Sequence, residues 1–433
     1  MTETTPRPEG PPDPGPDTGD TRLGTRFWTL WTSSGLSNLA DGVLKVALPL
    51  VALRFTDSPT LIAGVVFALT VPWLLFSLPA GAVADRFDRR RLMLGANTAR
   101  GLLLGALALA LALDLGSIWL LYAVALGIGT TETVYDTSAQ SILPQVVGRH
   151  QLSRANGRLY AAELSANQFV GPPLGGLLVT LGAAASFVAP AALWLVAAGA
   201  LLLVRGPFRI ERDAPTRMRE DIAEGLRFLW GHRILRRFAA MVGLSNFAGN
   251  ATFTVLVLFA VGPASPMGLS EPAYGLLLTA TAAGSVVGAL AAERIERLLG
   301  RVRALRWSTL TFTGIVAVPA LTADPFLVGA GFFVGGLGMS VWNVITVSLR
   351  QRITPDHLLG RLNSAYRLLA WGTMPLGAVT GGLIAQFFGL TAVFAGMGAL
   401  ILVLYLWQFT LSDAALASVE HGPAEDRPGP GGR

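Results

Sequence analysis

The stretch GLSNLADG at residues 35–42 returns as GLSNFAGN at residues 243–250, an offset of 208 positions. Two further pairs lie almost in the same register: DRFDR at 85–89 with ERIER at 293–297, offset 208, and GPPLGG at 171–176 with GAVTGG at 377–382, offset 206. Three matches so close to one register indicate an internal repeat. We therefore predict two homologous halves that run in the same direction along the chain.

Around these repeats the chain is strongly apolar. Hydrophobic residues make up 52% of its 433 residues and charged residues 14%, whereas about 25% charged residues is usual for a soluble domain. A helix needs about 20 apolar residues to cross the hydrocarbon layer. Twelve such runs are present, at residues 27–53, 61–84, 92–112, 118–142, 155–181, 184–204, 237–261, 274–292, 305–322, 326–348, 363–386 and 390–411. The sequence thus predicts an all-α membrane protein with twelve transmembrane helices in two six-helix pseudo-symmetric bundles.

Polar segments divide the chain between these spans. The bundles are predicted at 25–205 and 237–411, joined by a cytoplasmic linker at 206–236 that contains an amphipathic helix. The tails at 1–24 and 412–433 are rich in Pro, Gly and charged residues, so we expect both to be disordered and cytoplasmic. The first tail lacks the basic segment and apolar core of a signal peptide.

Arginine predicts the orientation in the membrane. Of the 33 basic residues all but Lys45 are arginine, and with both termini in the cytoplasm 29 arginines lie on the inner side. Basic charge spread over so many segments does not form a nucleic-acid-binding patch. The absence of cysteine excludes disulfides and thiolate sites, and the four histidines have no metal-ligand spacing, so no metal or cofactor is expected. We expect a monomeric, multi-pass protein of the bacterial inner membrane.

Two motifs resemble those of a known family. GAVADRFDRRRLML at residues 81–94 resembles the loop signature of the major facilitator superfamily, and GPPLGG resembles the antiporter motif of its drug and metabolite exporters. ILPQVV with LSRANG, and EGLRFLWGH before the seventh span, look like the macrolide-efflux and enterobactin-exporter branch. The resemblance covers residues 25–411 and implies the major facilitator fold with alternating access. This chain departs from the family pattern by having Glu163 and Asn167 upstream of GPPLGG and by lacking an arginine in the fourth span.

The resemblance implies a gating role for the loop after the second span. Its candidate residues are Gly81, Asp85, Arg86, Asp88 and Arg89. Asp85 can accept hydrogen bonds from a helix N-terminus or an arginine, and the arginines can pair with acids of the other half. Anchoring of the topology by arginine alone is the alternative.

The GPPLGG segment predicts close helix packing. Glycine removes side-chain bulk and proline frees a backbone carbonyl group, so this part of the fifth span can bend and approach a neighbouring helix. The residues concerned are Gly171, Pro172, Gly175 and Gly176.

Ionisable side chains inside the spans are candidates for proton coupling, because each costs at least about 2.5 kcal/mol at the membrane centre and normally faces a cavity or a partner. Asp41 and Lys45 lie four residues apart on one helix face, so they can neutralise each other, and protonation of Asp41 would release Lys45. A static ion pair is the alternative. Glu132 and Glu163 are further proton-coupling candidates.

Two arginines lie within the spans. Arg100 is an intramembrane partner for one of the acids. It forms either a fixed structural ion pair with Glu132 or Asp136, or part of a proton relay, and the sequence does not favour one over the other. Arg367 faces the interior or snorkels to the inner interface. Neutral side chains at similar depths are candidates for the substrate cavity: Asn38, Asn167, Gln168, Asn246, Asn250, Asn343 and Trp371.

These features predict a secondary active transporter that exports an amphiphilic small molecule (a drug, secondary metabolite or siderophore) by proton antiport, with protons and the lipid bilayer as its other partners. A proton-coupled metabolite importer is one alternative, and a membrane sensor or enzyme on a transporter-like fold is another. The sequence has no Walker A motif, so we do not expect this chain to use ATP. It shows neither a nucleophile with an orienting base nor a His/Asp metal cluster, so we do not expect an enzyme. The charge of the substrate and the direction of transport stay open.

Overall fold

The computed structural model describes residues 23–204, 206, 208, 218–262 and 264–411. The two predicted tails therefore lie almost wholly outside the described residues. The described part of the chain is nearly all helical and contains one isolated β-bridge, between Val261 and Leu269.

The helices fall into two series. The first series comprises α1 (Thr25–Ala52), α2 (Pro59–Arg86), α3 (Arg89–Ala112), α4 (Ile118–Val146), α5 (Leu152–Glu163), α6 (Gly171–Thr180) and α7 (Ala183–Leu202). A helix in the linker, α8 (Met218–Gly231), follows. The second series comprises α9 (Arg233–Ala260), α10 (Glu271–Leu299), α11 (Arg301–Val316), α12 (Val318–Leu321), α13 (Pro325–Ile353), α14 (Asp356–Gly372), α15 (Met374–Phe388) and α16 (Leu390–Trp407).

Ten spans in the described ranges are long and apolar enough to cross a membrane. The predicted fifth and ninth spans complete the twelve, and both are interrupted helices. In the fifth, a π-helical segment at Leu164–Val170 joins α5 to α6. Pro172 and Pro173 follow this segment and cannot donate to the carbonyl groups of the preceding turn. In the ninth, the helix breaks at Ala317, just before Pro319.

The two halves repeat one pattern of contacts. In the first half α1 packs on α6 and α7, α2 on α4, and α3 on α4 and α7. In the second half α9 packs on α15 and α16, α10 on α13, and α11 on α13 and α16. The contacts between the halves are equivalent too: α2 packs on α15, and their counterparts α10 and α6 pack on each other. This pairing agrees with the internal repeat of the sequence.

The halves meet tightly at one end of the bundle, the end where α1 finishes and α2 begins, which we call the α1–α2 end. There the Ser58 hydroxyl lies 3.0 Å from Oε1 of Gln386. A Cβ atom on Gly176 of α6 would overlap the Glu271 carbonyl group at the start of α10. The other end, where α2 is followed by Arg89–Arg91, is called the arginine-rich end below.

The linker helix α8 packs on α14 rather than lying free. Leu229 is fully buried in a cluster with Leu362 and Tyr366 of α14, and Glu224 forms an ion pair with Arg361. Trp230, on the other side of α8, is exposed. The apolar face of this amphipathic helix is thus covered largely by protein.

Candidate functional site

A large cavity lies between the two halves. Its largest compartment measures about 860 Å³, and its lining residues reach the arginine-rich end at Leu143 of α4 and Gln351 of α13. Two further compartments of about 440 and 390 Å³ adjoin it and share Asn250 and Gln168 with each other. Every side chain proposed above for proton coupling or for the substrate cavity lines one of the three: Asp41, Lys45, Glu132, Glu163, Asn38, Asn167, Gln168, Asn246, Asn250, Asn343 and Trp371.

The cavity is electrically asymmetric. The first half contributes four carboxylates to the wall of the largest compartment: Asp41, Glu132, Asp136 and Glu163. By contrast, the described residues that line the 390 Å³ compartment, most of them from the second half, include no acidic or basic side chain. They are amides, hydroxyls, methionines, aromatic rings, three aliphatic side chains and a glycine. This wall suits an uncharged body with hydrogen-bonding groups.

One face of α4 carries three oxygen acceptors in a row. Glu132, Asp136 and Gln140 follow one another at intervals of four residues and all line the largest compartment. A helix has 3.6 residues per turn, so this spacing places the three side chains one above the other along the cavity wall.

Arg100 of α3 pairs with Asp41 of α1. Its side chain is fully buried, and Nη1 lies 3.6 Å from Oδ1 of Asp41. The guanidinium centre also lies 5.0 Å from the ring centroid of Tyr135 and 5.3 Å from that of Trp194. The carboxylate and the two ring faces offset the cost of burying a charged group. The sequence suggested Glu132 or Asp136 as the partner of Arg100. In the structure its ion-pair partner is Asp41.

Lys45 makes a different contact from the one predicted. Its Nζ atom donates a hydrogen bond of 2.7 Å to Oδ1 of Asn167, on the π-helical segment of the fifth span. The direct partner of Asp41 among the described residues is therefore Arg100, which approaches from a neighbouring helix, and Lys45 makes its direct contact with Asn167. The sequence places Asp41 and Lys45 on one face of α1 but does not show which side chains neighbouring helices bring to them.

The asparagine that both halves retain contacts an irregular backbone segment in each half. In the first half, Nδ2 of Asn167 lies 3.4 Å from Oδ1 of Asn38. In the second half, Nδ2 of Asn246 donates a 2.7 Å bond to the carbonyl oxygen of Ala370, beside the break between α14 and α15. The repeated asparagines thus lie where the fifth and eleventh spans are interrupted.

The loop after the second span connects elements of the first half. Asp88 caps α3 by accepting from the backbone N–H of Arg91, and it also accepts from the backbone N–H of Phe208 after α7. Arg89 is buried and donates a 2.9 Å bond to the carbonyl oxygen of Ser141 in α4. Gly81 lies within α2, Arg86 ends it and is exposed, and the side chain of Asp85 lies outside the described residues.

The GPPLGG residues lie at close helix contacts. A Cβ atom on Gly175 would lie 2.6 Å from the carbonyl oxygen of Val43 in α1, and one on Gly171 would lie 2.6 Å from Cα of Gly42. Pro172 presents its carbonyl group to Gly275 of α10, so Pro172 and Gly176 face the other half. Close approach of the fifth span to α1 and α10 requires the absence of side chains here.

Some residues of the site carried no sequence signal. Tyr135 and Trp194 hold the Arg100 guanidinium, but aromatic residues in apolar spans are indistinguishable from ordinary packing in the sequence. Trp73 of α2 lies edge to face against Trp371 of α14, with centroids 4.7 Å apart. That contact joins the two halves, and only the tertiary fold could place it.

Comparisons with known proteins agree with this architecture. A sequence model of the family described as "Transmembrane secretion effector" matches residues 23–428. The chain is 28% identical over 389 residues to the multidrug efflux pump Tap of Mycolicibacterium fortuitum, covering 84% of this chain and 90% of the pump. It is 26% identical to the enterobactin exporter EntS of Salmonella typhi (87% and 86% covered) and 25% identical to macrolide efflux protein A of Streptococcus pyogenes (87% and 93% covered).

Solved transporter structures share the fold. The nucleoside transporter NupG matches with a TM-score of 0.71 at 15% identity, covering 90% of this chain and 100% of that one. A bacterial homologue of the iron transporter ferroportin, in an inward-facing state, matches with a TM-score of 0.70 at 16% identity, covering 89% and 98%. At these identities the likeness concerns the fold alone.

Proposed function

This chain belongs to the transmembrane secretion effector family of the major facilitator superfamily, and we propose that it exports an amphiphilic small molecule across the bacterial inner membrane in exchange for protons. Its relatives include pumps named for multidrug, enterobactin and macrolide efflux. These names support efflux here, and the substrate itself is left to experiment.

The proposed direction rests on the orientation. The arginines concentrate at one end, which the positive-inside rule assigns to the cytoplasm, with both tails and the linker on that side. The cavity reaches that end, whereas the halves are in contact at the α1–α2 end. The conformation is then inward-facing and accessible to a substrate from the cytoplasm. Because one chain supplies both walls of the cavity, we propose that a monomer suffices.

The observation that carries the proposal is the Asp41–Arg100 pair at the cavity wall. Asp41 lines the cavity with 12% of its side chain exposed, while Arg100 behind it is fully buried. A carboxyl group in this position can exchange a proton with the cavity, and the Arg100 guanidinium remains beside it as its ion-pair partner. Glu132 and Glu163 are the alternative proton carriers on the same wall.

Proton movement in proteoliposomes tests this function. Wild type, Asp41→Asn and the control Glu293→Gln, whose exposed carboxylate forms a surface ion pair with Arg297, are reconstituted with an internal pH dye. A cationic dye, a macrolide and a catecholate siderophore are added in turn. We expect one compound to drive proton movement with wild type and the control but not with Asp41→Asn.

Two results would contradict parts of the proposal. Uphill transport that does not respond to a pH gradient would exclude proton antiport. Normal proton movement by Asp41→Asn would exclude Asp41 as the carrier and move the role to Glu132 or Glu163.

A further inference from the structure

Arg367 of α14 joins the two halves across the cavity. Its Nη1 atom donates a 2.7 Å hydrogen bond to Oε1 of Gln140 on α4. Its guanidinium centre lies 4.5 Å from the ring centroid of Trp371 and 5.9 Å from that of Trp73. Arg367 therefore faces the interior between the halves and does not snorkel to the inner interface.

The surroundings of this guanidinium are those of a cation-binding site. Beside it lies a compartment of about 250 Å³, where the rings of Trp73 and Trp371 meet three acids and one cation, Lys45, together with four uncharged residues. The three acids are Asp41, Glu132 and Asp136. Aromatic ring faces and nearby carboxylates together attract an organic cation, and the attraction grows when the site excludes water. In this structure the protein's own arginine lies over both rings.

Counting Arg367 brings the charges around the cavity to within one unit of balance. Four carboxylates face the cavity: Asp41, Glu132, Asp136 and Glu163. The cations beside them are Lys45, which is hydrogen-bonded to Asn167, the buried Arg100, and Arg367. With all groups ionised, the four negative charges meet three positive ones. Removal of the Arg367 charge leaves an excess of two negative charges beside two indole rings.

We propose that Arg367 occupies the site of the substrate's cationic group, and that a cationic amphiphile displaces it during transport. This inference rests on the proposed export function and assigns its substrate class. The cation binds against Trp73, Trp371 and the carboxylates of α4, while the uncharged body extends into the neutral compartment of the second half. Displacement breaks the Arg367–Gln140 hydrogen bond, so substrate binding releases a contact between the two halves.

Equilibrium binding to the purified full-length protein tests the proposal. The probes are ethidium, a planar cation, and Nile red, which is uncharged. The variants are Arg367→Gln and the control Arg350→Gln. Arg350 also stacks on an aromatic ring, with its guanidinium 4.2 Å from the Tyr366 centroid, but it does not line the described cavity.

We expect Arg367→Gln to bind ethidium about tenfold more tightly than wild type, because a resident competitor for the aromatic and anionic site has been removed. Nile red affinity should stay the same, and Arg350→Gln should match wild type with both probes. Unchanged or weaker ethidium binding by Arg367→Gln overturns the proposal, as does the absence of ethidium binding to both proteins. Since binding is measured without a pH gradient, failure of the antiport proposal would leave this result intact.

Discussion

The guanidinium of Arg100 and the carboxylate of Asp41 lie 3.6 Å apart, on α3 and α1. The arginine is fully buried between two aromatic rings, whereas the carboxylate reaches the cavity. One partner is thus fixed in the protein and the other is open to protons and substrate.

Replacing Arg100 should destabilise the protein through Asp41. Arg100→Leu leaves a largely buried carboxylate without its cation, which costs about 3–5 kcal/mol when a buried pair is broken. Thermal unfolding in detergent should show a clear loss for Arg100→Leu and partial recovery in the double variant with Asp41→Asn. Arg297→Leu, which removes an exposed ion pair with Glu293, should change little. A double variant less stable than Arg100→Leu would contradict the pairing.

Much of this fold could be predicted from the sequence because hydropathy and repeats are local signals. The twelve apolar runs correspond to helices, and the 208-residue offset corresponds to equivalent contacts in both halves. The interruption of the fifth span at Leu164–Val170 was not predicted, although Pro172 and Pro173 were visible. Apolar composition reveals where a span lies but says little about the hydrogen-bonding pattern within it.

The site could be predicted as a set of residues but not as a set of pairs. Asp41 and Lys45 stand out in the sequence because an ionisable side chain inside a span has a high free-energy cost and normally faces a cavity or a partner. Their partners lie far away in sequence: Arg100 is 59 residues from Asp41, and Asn167 is 122 residues from Lys45. Helix–helix register decides such pairs, and one sequence does not contain that information.

Strengthening the Lys45–Asn167 contact should slow transport. Asn167→Asp converts the 2.7 Å hydrogen bond from the Lys45 ammonium group to a neutral amide into an ion pair between opposite charges, which is stronger. We expect a higher melting temperature and a transport rate several-fold lower, because α1 is then held more firmly to the π-helical segment. Gln168→Glu adds the same charge one residue further on and serves as the control. Equal effects of the two variants would indicate that added charge, rather than this contact, is responsible.

Removing the Asn246 amide should weaken the eleventh span. Asn246→Leu removes the 2.7 Å bond to the carbonyl oxygen of Ala370, which keeps the Thr373 hydroxyl at 3.1 Å. We expect a cost of about 1 kcal/mol, the net value of one hydrogen bond. Asn343→Leu, an exposed cavity residue, is the matched control and should be nearly neutral. The free energy of unfolding in denaturant provides the comparison. A loss no greater than that of the control would show that the break between α14 and α15 does not depend on Asn246.

The contact at the α1–α2 end can be trapped by a thiol cross-linker. The chain has no cysteine, so Ser58→Cys with Gln386→Cys introduces a single pair of thiols at two residues whose side chains are in contact, with Ser58 Oγ 3.0 Å from Gln386 Oε1. A short bis-methanethiosulfonate reagent, which forms a disulfide with each thiol, should cross-link the pair and abolish transport, and a reductant should restore it. Each single variant should transport normally under both conditions. Full transport by the cross-linked protein would show that this end does not need to open.

Exchange of a proton on Asp41 for substrate can be measured without a membrane, as proton release when substrate binds. Substrate is added to purified protein in weakly buffered detergent, and the protons released to the solution are recorded with a pH dye for wild type and Asp41→Asn. We expect wild type to release protons and Asp41→Asn to release none. The yield from wild type should fall at high pH, because Asp41 then loses its proton before substrate binds. Equal release by both proteins, with equal substrate binding, would contradict exchange at Asp41.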